Sequence, residues 1–369
     1  ITIGLVAVAY FLVGSLAYFF DFPALNHNLA YKYLLVIAVF SVATLLSFLG
    51  MKFIARLAML GVIIGIVVPV ITLLVLTILY THSGAHIHLY FGYKNLLPHF
   101  SGWGSLSTLV VFILSFFGIE ANAVHVNQLK DVRKVYPMLM IAVVIFSLIL
   151  ALVGTLPISM LIEKSEIDLD AGILQVYNLI AAKYHIEWLT RVMAFCLAFG
   201  AFSMILSWIQ GPINGLLVAA NDNLIPACFK KVNKHGISTN LTLFQGAVLF
   251  FWATVFTFSS LNGNASFLIS IHLASAVFLT MYLILYVAYA KAKVKFPDIK
   301  RGYKIPMGKL GATIAFVLGV ITVFISLIFT FLPPEGTVDV ATYSTILVIS
   351  FFVVLAIPQV IFRLDFSEK

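Results

Sequence analysis

Ten stretches of this chain are each apolar over the length, about 20 residues, that a helix needs to cross a bilayer. That constrains the fold more than anything else in the sequence. The hydrocarbon region offers no water, so every backbone N–H and C=O there must find a partner within the protein. Runs of this length therefore read as helices, at 1–20, 32–49, 58–80, 105–124, 137–160, 188–213, 238–260, 265–290, 310–332 and 342–361. Composition agrees: 62% of the 369 residues are hydrophobic and 10% charged, against about half and a quarter in soluble domains. An all-α membrane bundle is expected, with one transmembrane domain over 1–361 and a short tail at 362–369.

The formal charge of +8 could suggest nucleic acid, but the basic residues sort by loop instead. Alternate loops and helix ends carry Lys52, Arg56, Lys130, Arg133, Lys134, Lys230, Lys231, Lys234, Lys291, Lys293, Lys295, Lys300, Arg301, Lys304, Lys309, Arg363 and Lys369. The opposite side keeps Lys32, Lys94, Lys164, Lys183 and Arg191, with most of the acids, Asp170 among them. The positive-inside rule puts the first set in the cytoplasm, and the C-terminus with it. The expected partners are the lipid bilayer and a small solute, not nucleic acid. Cys196 and Cys228 form neither a disulfide framework nor a metal-ligand spacing. The chain opens at Ile1-Thr2-Ile3, inside an apolar run and without a basic n-region. The expectation is a fragment whose upstream helices are missing.

Between the spans, Ile173, Val176, Tyr177, Ile180 and Ala181 recur at helical spacing and predict a helix over 171–184 on the outer surface. Residues 214–236 predict a short amphipathic piece on the inner surface. The basic loop 291–309 either sets topology alone or also touches anionic lipid headgroups.

Candidate functional positions lie within the spans. Glu120 is the one carboxylate inside a membrane-length run. A charge at that depth costs about 2.5–3.5 kcal/mol on insertion scales, so its default reading is functional. Gly118 offers a place for the helix to break, and broken helices lining a cavity are a common way to build a transport site. The alternative is an unbroken helix in which Glu120 bonds a neighbouring span. Trp208, in Ser207-Trp208-Ile209-Gln210-Gly211-Pro212, serves either as an interfacial anchor or as an aromatic contact to substrate. Phe278 and Tyr282 stand one turn apart on one helix face, as core packing or as site lining. His272 reads as an interior donor or a titrating group. His82, His86 and His88 lie close in sequence without implying a fixed metal geometry. No P-loop and no nucleophile–base set occurs in the spans, which points away from an enzyme and requires no cofactor or metal.

The run Ser115-Phe116-Phe117-Gly118-Ile119-Glu120-Ala121, followed by His125-Val126-Asn127, resembles the sixth-helix motif of amino acid–polyamine–organocation transporters. More narrowly, it resembles the bacterial glutamate/γ-aminobutyrate antiporters. Pro23-Ala24-Leu25-Asn26, His82-Ser83-Gly84-Ala85, Ser207-Trp208-Ile209 with Gly211-Pro212, Ser266-Phe267-Leu268-Ile269 and Phe331-Leu332-Pro333-Pro334 extend the likeness nearly end to end. The resemblance implies a LeuT-like inverted-repeat bundle that is N-terminally truncated, this chain supplying helices three to twelve. It implies that Phe117, Gly118 and Ile119 line the site with backbone groups and that Glu120 braces the break. Trp208 would lie against substrate, and Phe278 and Tyr282 would match an aromatic pair. Met204 falls where members of the family carry a carboxylate. The function implied is exchange of glutamate for γ-aminobutyrate across a bacterial inner membrane, linked to acid resistance. The alternatives are a proton-coupled permease for another amino acid or polyamine and, from another class, a non-transporting receptor or scaffold.

Overall fold

The computed structural model describes residues 2–84, 87–88, 102–116, 118–119, 131–258, 263–297, 299, 305, 307–334 and 339–366. Its long elements are all helical: α1 (Gly4–Phe19), α2 (Leu29–Ser47), α3 (Met51–His82), α4 (Trp103–Leu114), α5 (Val132–Leu161), α6 (Gly172–Tyr184), α7 (Glu187–Asn221), α8 (Thr239–Phe258), α9 (Gly263–Lys295), α10 (Gly308–Thr330) and α11 (Val340–Phe366). Apart from α6, each matches one predicted span. Eight are long and apolar enough to cross a membrane, and α1 and α4 are shorter apolar helices.

The boundaries differ from the sequence reading in instructive ways. α2 starts three residues early because Asn28 caps it, its side-chain oxygen accepting from the amides of Ala30 and Tyr31 at 2.9 and 3.3 Å. α7 runs past its expected end at 213, through Pro212 to Asn221. The first part of the 214–236 segment, where a short amphipathic piece was expected, is therefore the end of α7. Beyond α7 the chain holds a single turn of 3₁₀ helix at Ala227–Lys230 and an isolated bridge between Val232 and Ser238. α4 stops at Leu114, ten residues short of the predicted 124.

The helices fall into two units, Ile1–Pro98 with Leu150–Ile271 and Ala356–Lys369, and His99–Ile149 with His272–Leu355. In the first unit α7 is the central element. It packs extensively against both α1 and α3, while α8 packs on α2.

The α3–α7 contact depends on small residues. Pro69 has no N–H to give the Gly65 carbonyl, and α3 widens to π-helical bonding over Ile63–Val67. There Gly65 meets Gly200 backbone to backbone, and a Cβ on Gly65 would lie 2.3 Å from the Gly200 Cα. One turn earlier, Gly61 faces Ser203. Without a hydrophobic drive between helices in lipid, such close approach supplies the packing. Gly65→Leu is accordingly expected to destabilise the folded protein by about 3 kcal/mol or more, since overpacking commonly costs 1–3. Thermal unfolding in detergent checks this, and an unchanged midpoint would mean that the contact is loose.

Several buried hydroxyls within the helices are satisfied locally. Ser15, Ser47, Thr77 and Thr242 each donate to the carbonyl four residues back, at 2.7–2.9 Å. The helix α6 predicted from its apolar spacing is present. Its Leu174, Val176, Tyr177 and Ile180 join a buried cluster with Leu73, Leu161, Met193 and Leu197, and the Tyr177 hydroxyl donates to the Pro69 carbonyl.

Candidate functional site

The break anticipated at Gly118 starts with the end of α4. A helix end inside a membrane must satisfy up to four carbonyls that no following turn reaches. Here the last turn tightens: the amide of Ser115 and its hydroxyl donate to the Phe112 carbonyl at 3.1 and 2.6 Å, and the Phe116 amide donates to Ile113 at 3.1 Å. Phe112 and Phe116 meet edge to face at 5.3 Å. The chain then turns at Gly118, which is buried with φ +89, a conformation that a Cβ disfavours. Ile119 follows, half-buried, in a helical turn of 3₁₀ type. Phe117 and Glu120 lie outside the described residues.

The other predicted lining residues occupy regular helix. Met204 and Trp208 stand one turn apart on α7 in the first unit, Met204 exposed and Trp208 half-buried. Pro212 supplies no N–H for the Trp208 carbonyl, so the proline lies one turn beyond the aromatic it serves. Phe278 and Tyr282 are half-buried on α9 in the second unit, with Gly118 and Ile119.

Two buried polar pairs escaped the sequence reading. The first joins Lys32 and Asp170, both assigned by charge to outer loops. Asn28 starts α2 early enough to put Lys32 inside its first turns. Lys32 Nζ lies 2.7 Å from Asp170 Oδ2, with side-chain exposures of 7% and 5%. Around it, Asn26 Nδ2 donates to Asp170 Oδ1 at 3.4 Å, and the ammonium lies 4.7 Å above the Tyr10 ring. The Tyr10 hydroxyl pairs with Thr257 at 2.9 Å. The pair therefore fastens the segment before α6 to α1 and α2. The second pair is within unit two: His272 Nδ1 and the Tyr343 hydroxyl are 2.6 Å apart, both side chains fully buried. His272 is thus an interior hydrogen-bonding group. Among the described residues no three His, Cys, Asp or Glu side chains gather as metal ligands.

A multi-pass set of apolar helices, one of which ends inside an apolar run, fits a secondary transporter. The chain belongs to the amino acid permease family, which it matches over residues 1–357. It is 32% identical over 368 residues to the glutamate/gamma-aminobutyrate antiporter of Lactococcus lactis subsp. lactis (strain IL1403), covering 99% of this chain and 73% of that protein. The antiporter of Lactococcus lactis subsp. cremoris (strain MG1363) gives the same identity and coverage. An uncharacterized transporter of Legionella pneumophila is 28% identical over 325 residues, covering 88% of this chain and 69% of its own length.

Proposed function

We propose that this protein is a secondary amino acid antiporter that exchanges glutamate for γ-aminobutyrate, with a role in acid resistance. The observation that carries the proposal is the end of α4 at Leu114 followed by the buried left-handed turn at Gly118, inside an apolar run. The names of the Lactococcus relatives support the substrate pair. Backbone groups of Phe117, Gly118 and Ile119 bind the solute where no continuous helix claims them. Glu120 adjoins them in sequence and braces the break as a hydrogen-bond donor. Trp208, Phe278 and Tyr282 supply aromatic walls, and Met204 takes a position where a carboxylate would change proton handling. The basic loops face the cytoplasm, and the membrane is the bacterial inner membrane.

A ligand panel on the full-length protein in detergent tests the substrate class. A ligand that binds only the folded state adds about 2.7 kcal/mol of stability at one hundred times its Kd. Glutamate and γ-aminobutyrate are expected to raise the unfolding midpoint, whereas arginine and putrescine should leave it in place. A response to arginine or putrescine alone would favour the permease for another amino acid or polyamine.

A further inference from the structure

The end of α9 carries Lys291, Lys293 and Lys295, and α10 begins close by in sequence at Gly308. Beside that end, Val287, Ala290, Lys291, Val294 and Lys295 of α9 and Phe316 of α10 line a groove of ≈ 510 Å³. Its walls are apolar, the two lysines contributing their aliphatic stems, and no acidic side chain lines it among the described residues. Phe316 meets Tyr286 edge to face at 5.7 Å and stacks on Tyr289 at 6.2 Å. One turn further along α10, Gly319 lets the helices close, for a Cβ there would fall 2.1 Å from the Tyr286 hydroxyl. Lys291 and Lys295, four residues apart, share one face of α9 beside the groove. The Lys295 ammonium lies over the Phe296 ring, 5.5 Å from its centre, and that of Lys293 over the Tyr289 ring at 5.7 Å.

We propose that this groove binds one anionic diacyl phospholipid, its phosphate between Lys291 and Lys295 and an acyl chain along Val287, Val294 and Phe316. Both helices are membrane spans, so lipid is the solvent at this surface. Two cations beside an open apolar groove select a ligand that joins a negative head to a hydrocarbon tail. A zwitterionic lipid would fill the groove without neutralising the pair. A soluble phosphate ester would meet the lysines and leave the groove unfilled.

Native mass spectrometry of the detergent-purified protein with added dioleoylphosphatidylglycerol tests this. Near a membrane surface each basic residue strengthens anionic binding about fivefold. The double variant Lys291→Gln/Lys295→Gln is therefore expected to weaken retention of the lipid by roughly tenfold or more. Lys291→Arg/Lys295→Arg should keep it. So should Lys231→Gln/Lys234→Gln, which removes the same charge from an exposed loop outside the groove. Dioleoylphosphatidylcholine should bind more weakly, and glycerol 3-phosphate should not displace the bound lipid. Equal losses in the two glutamine double variants would reduce the effect to diffuse charge and overturn the site. An unchanged Lys291→Gln/Lys295→Gln protein, or displacement by glycerol 3-phosphate, would overturn it as well.

Discussion

Lys32→Met is expected to destabilise the folded protein by about 3–5 kcal/mol, because it leaves Asp170 as a buried charge without its cation. Both partners are nearly inaccessible, at 7% and 5% side-chain exposure, so water cannot take over the role of the lost ammonium. The mutation also strips the cation from the face of Tyr10. Asp170→Asn should cost a similar amount, since the buried ammonium would then be the uncompensated charge. The double change Lys32→Met/Asp170→Leu removes both charges and should recover most of the loss, because replacing an entire buried pair by apolar side chains is often neutral or stabilising. Arg191 and Asp21 provide the comparison. Their 2.8 Å contact is 56% and 72% exposed, and breaking it with Arg191→Met should shift stability by less than about 1 kcal/mol. Thermal unfolding of the purified variants measures all four. Equal midpoints for Lys32→Met and Arg191→Met would show that the Lys32 pair is solvated.

Gly118→Val should abolish transport in a protein that still inserts and folds. The glycine has φ +89, where a β-branched residue is strained. Holding a side chain in such a region costs of order 1–3 kcal/mol, enough to shift the balance between broken and continuous helix by about 5- to 150-fold. A continuous helix over 105–124 would recapture the backbone groups proposed to bind solute. Gly118→Ala should fall between Val and the native residue. Glu120 tests the same break from its neighbour. If it braces the break as a donor, Glu120→Gln retains much of the exchange and Glu120→Ala loses it. If the charge itself binds substrate or carries a proton, Gln fails as badly as Ala. Uptake by each variant at about pH 5.5 and about pH 7.5, bracketing the histidine range, separates the two. Native exchange rates in Gly118→Val would remove the break from the mechanism.

These effects also mark what hydropathy can see. The positions of ten helices were legible, eight of them long and apolar enough to cross a membrane, because a membrane permits little except helices about 20 residues long. The end of α4 at Leu114 was not visible as hydropathy, since 105–124 stays apolar on average; the identities of Gly118 and Glu120 pointed to it. The extension of α7 beyond 213 was missed for the opposite reason. Gly211, Pro212, Asn214 and Asn221 resemble a helix end, yet one missing backbone bond did not stop a helix packed along its length. Charge counting placed Lys32 and Asp170 on the same side of the membrane but treated both as solvated. Their pairing spans 138 residues of sequence, and only the capped start of α2 and the segment before α6 bring them together. The His272–Tyr343 contact spans 71 residues and was equally out of reach. Of the candidate site, the residue types were readable, namely a break glycine, an aromatic one turn before a proline, and two aromatics on one face. Their conformation at Gly118 and their exposure on α7 and α9 were not.

Obligatory exchange of amino acids is measured directly by counterflow. The full-length protein in proteoliposomes should take up labelled glutamate rapidly when γ-aminobutyrate is trapped inside, and hardly at all when the lumen holds buffer alone. Uptake that is equal with and without internal γ-aminobutyrate would contradict exchange and favour a proton-coupled permease, and no uptake under either condition would contradict transport itself.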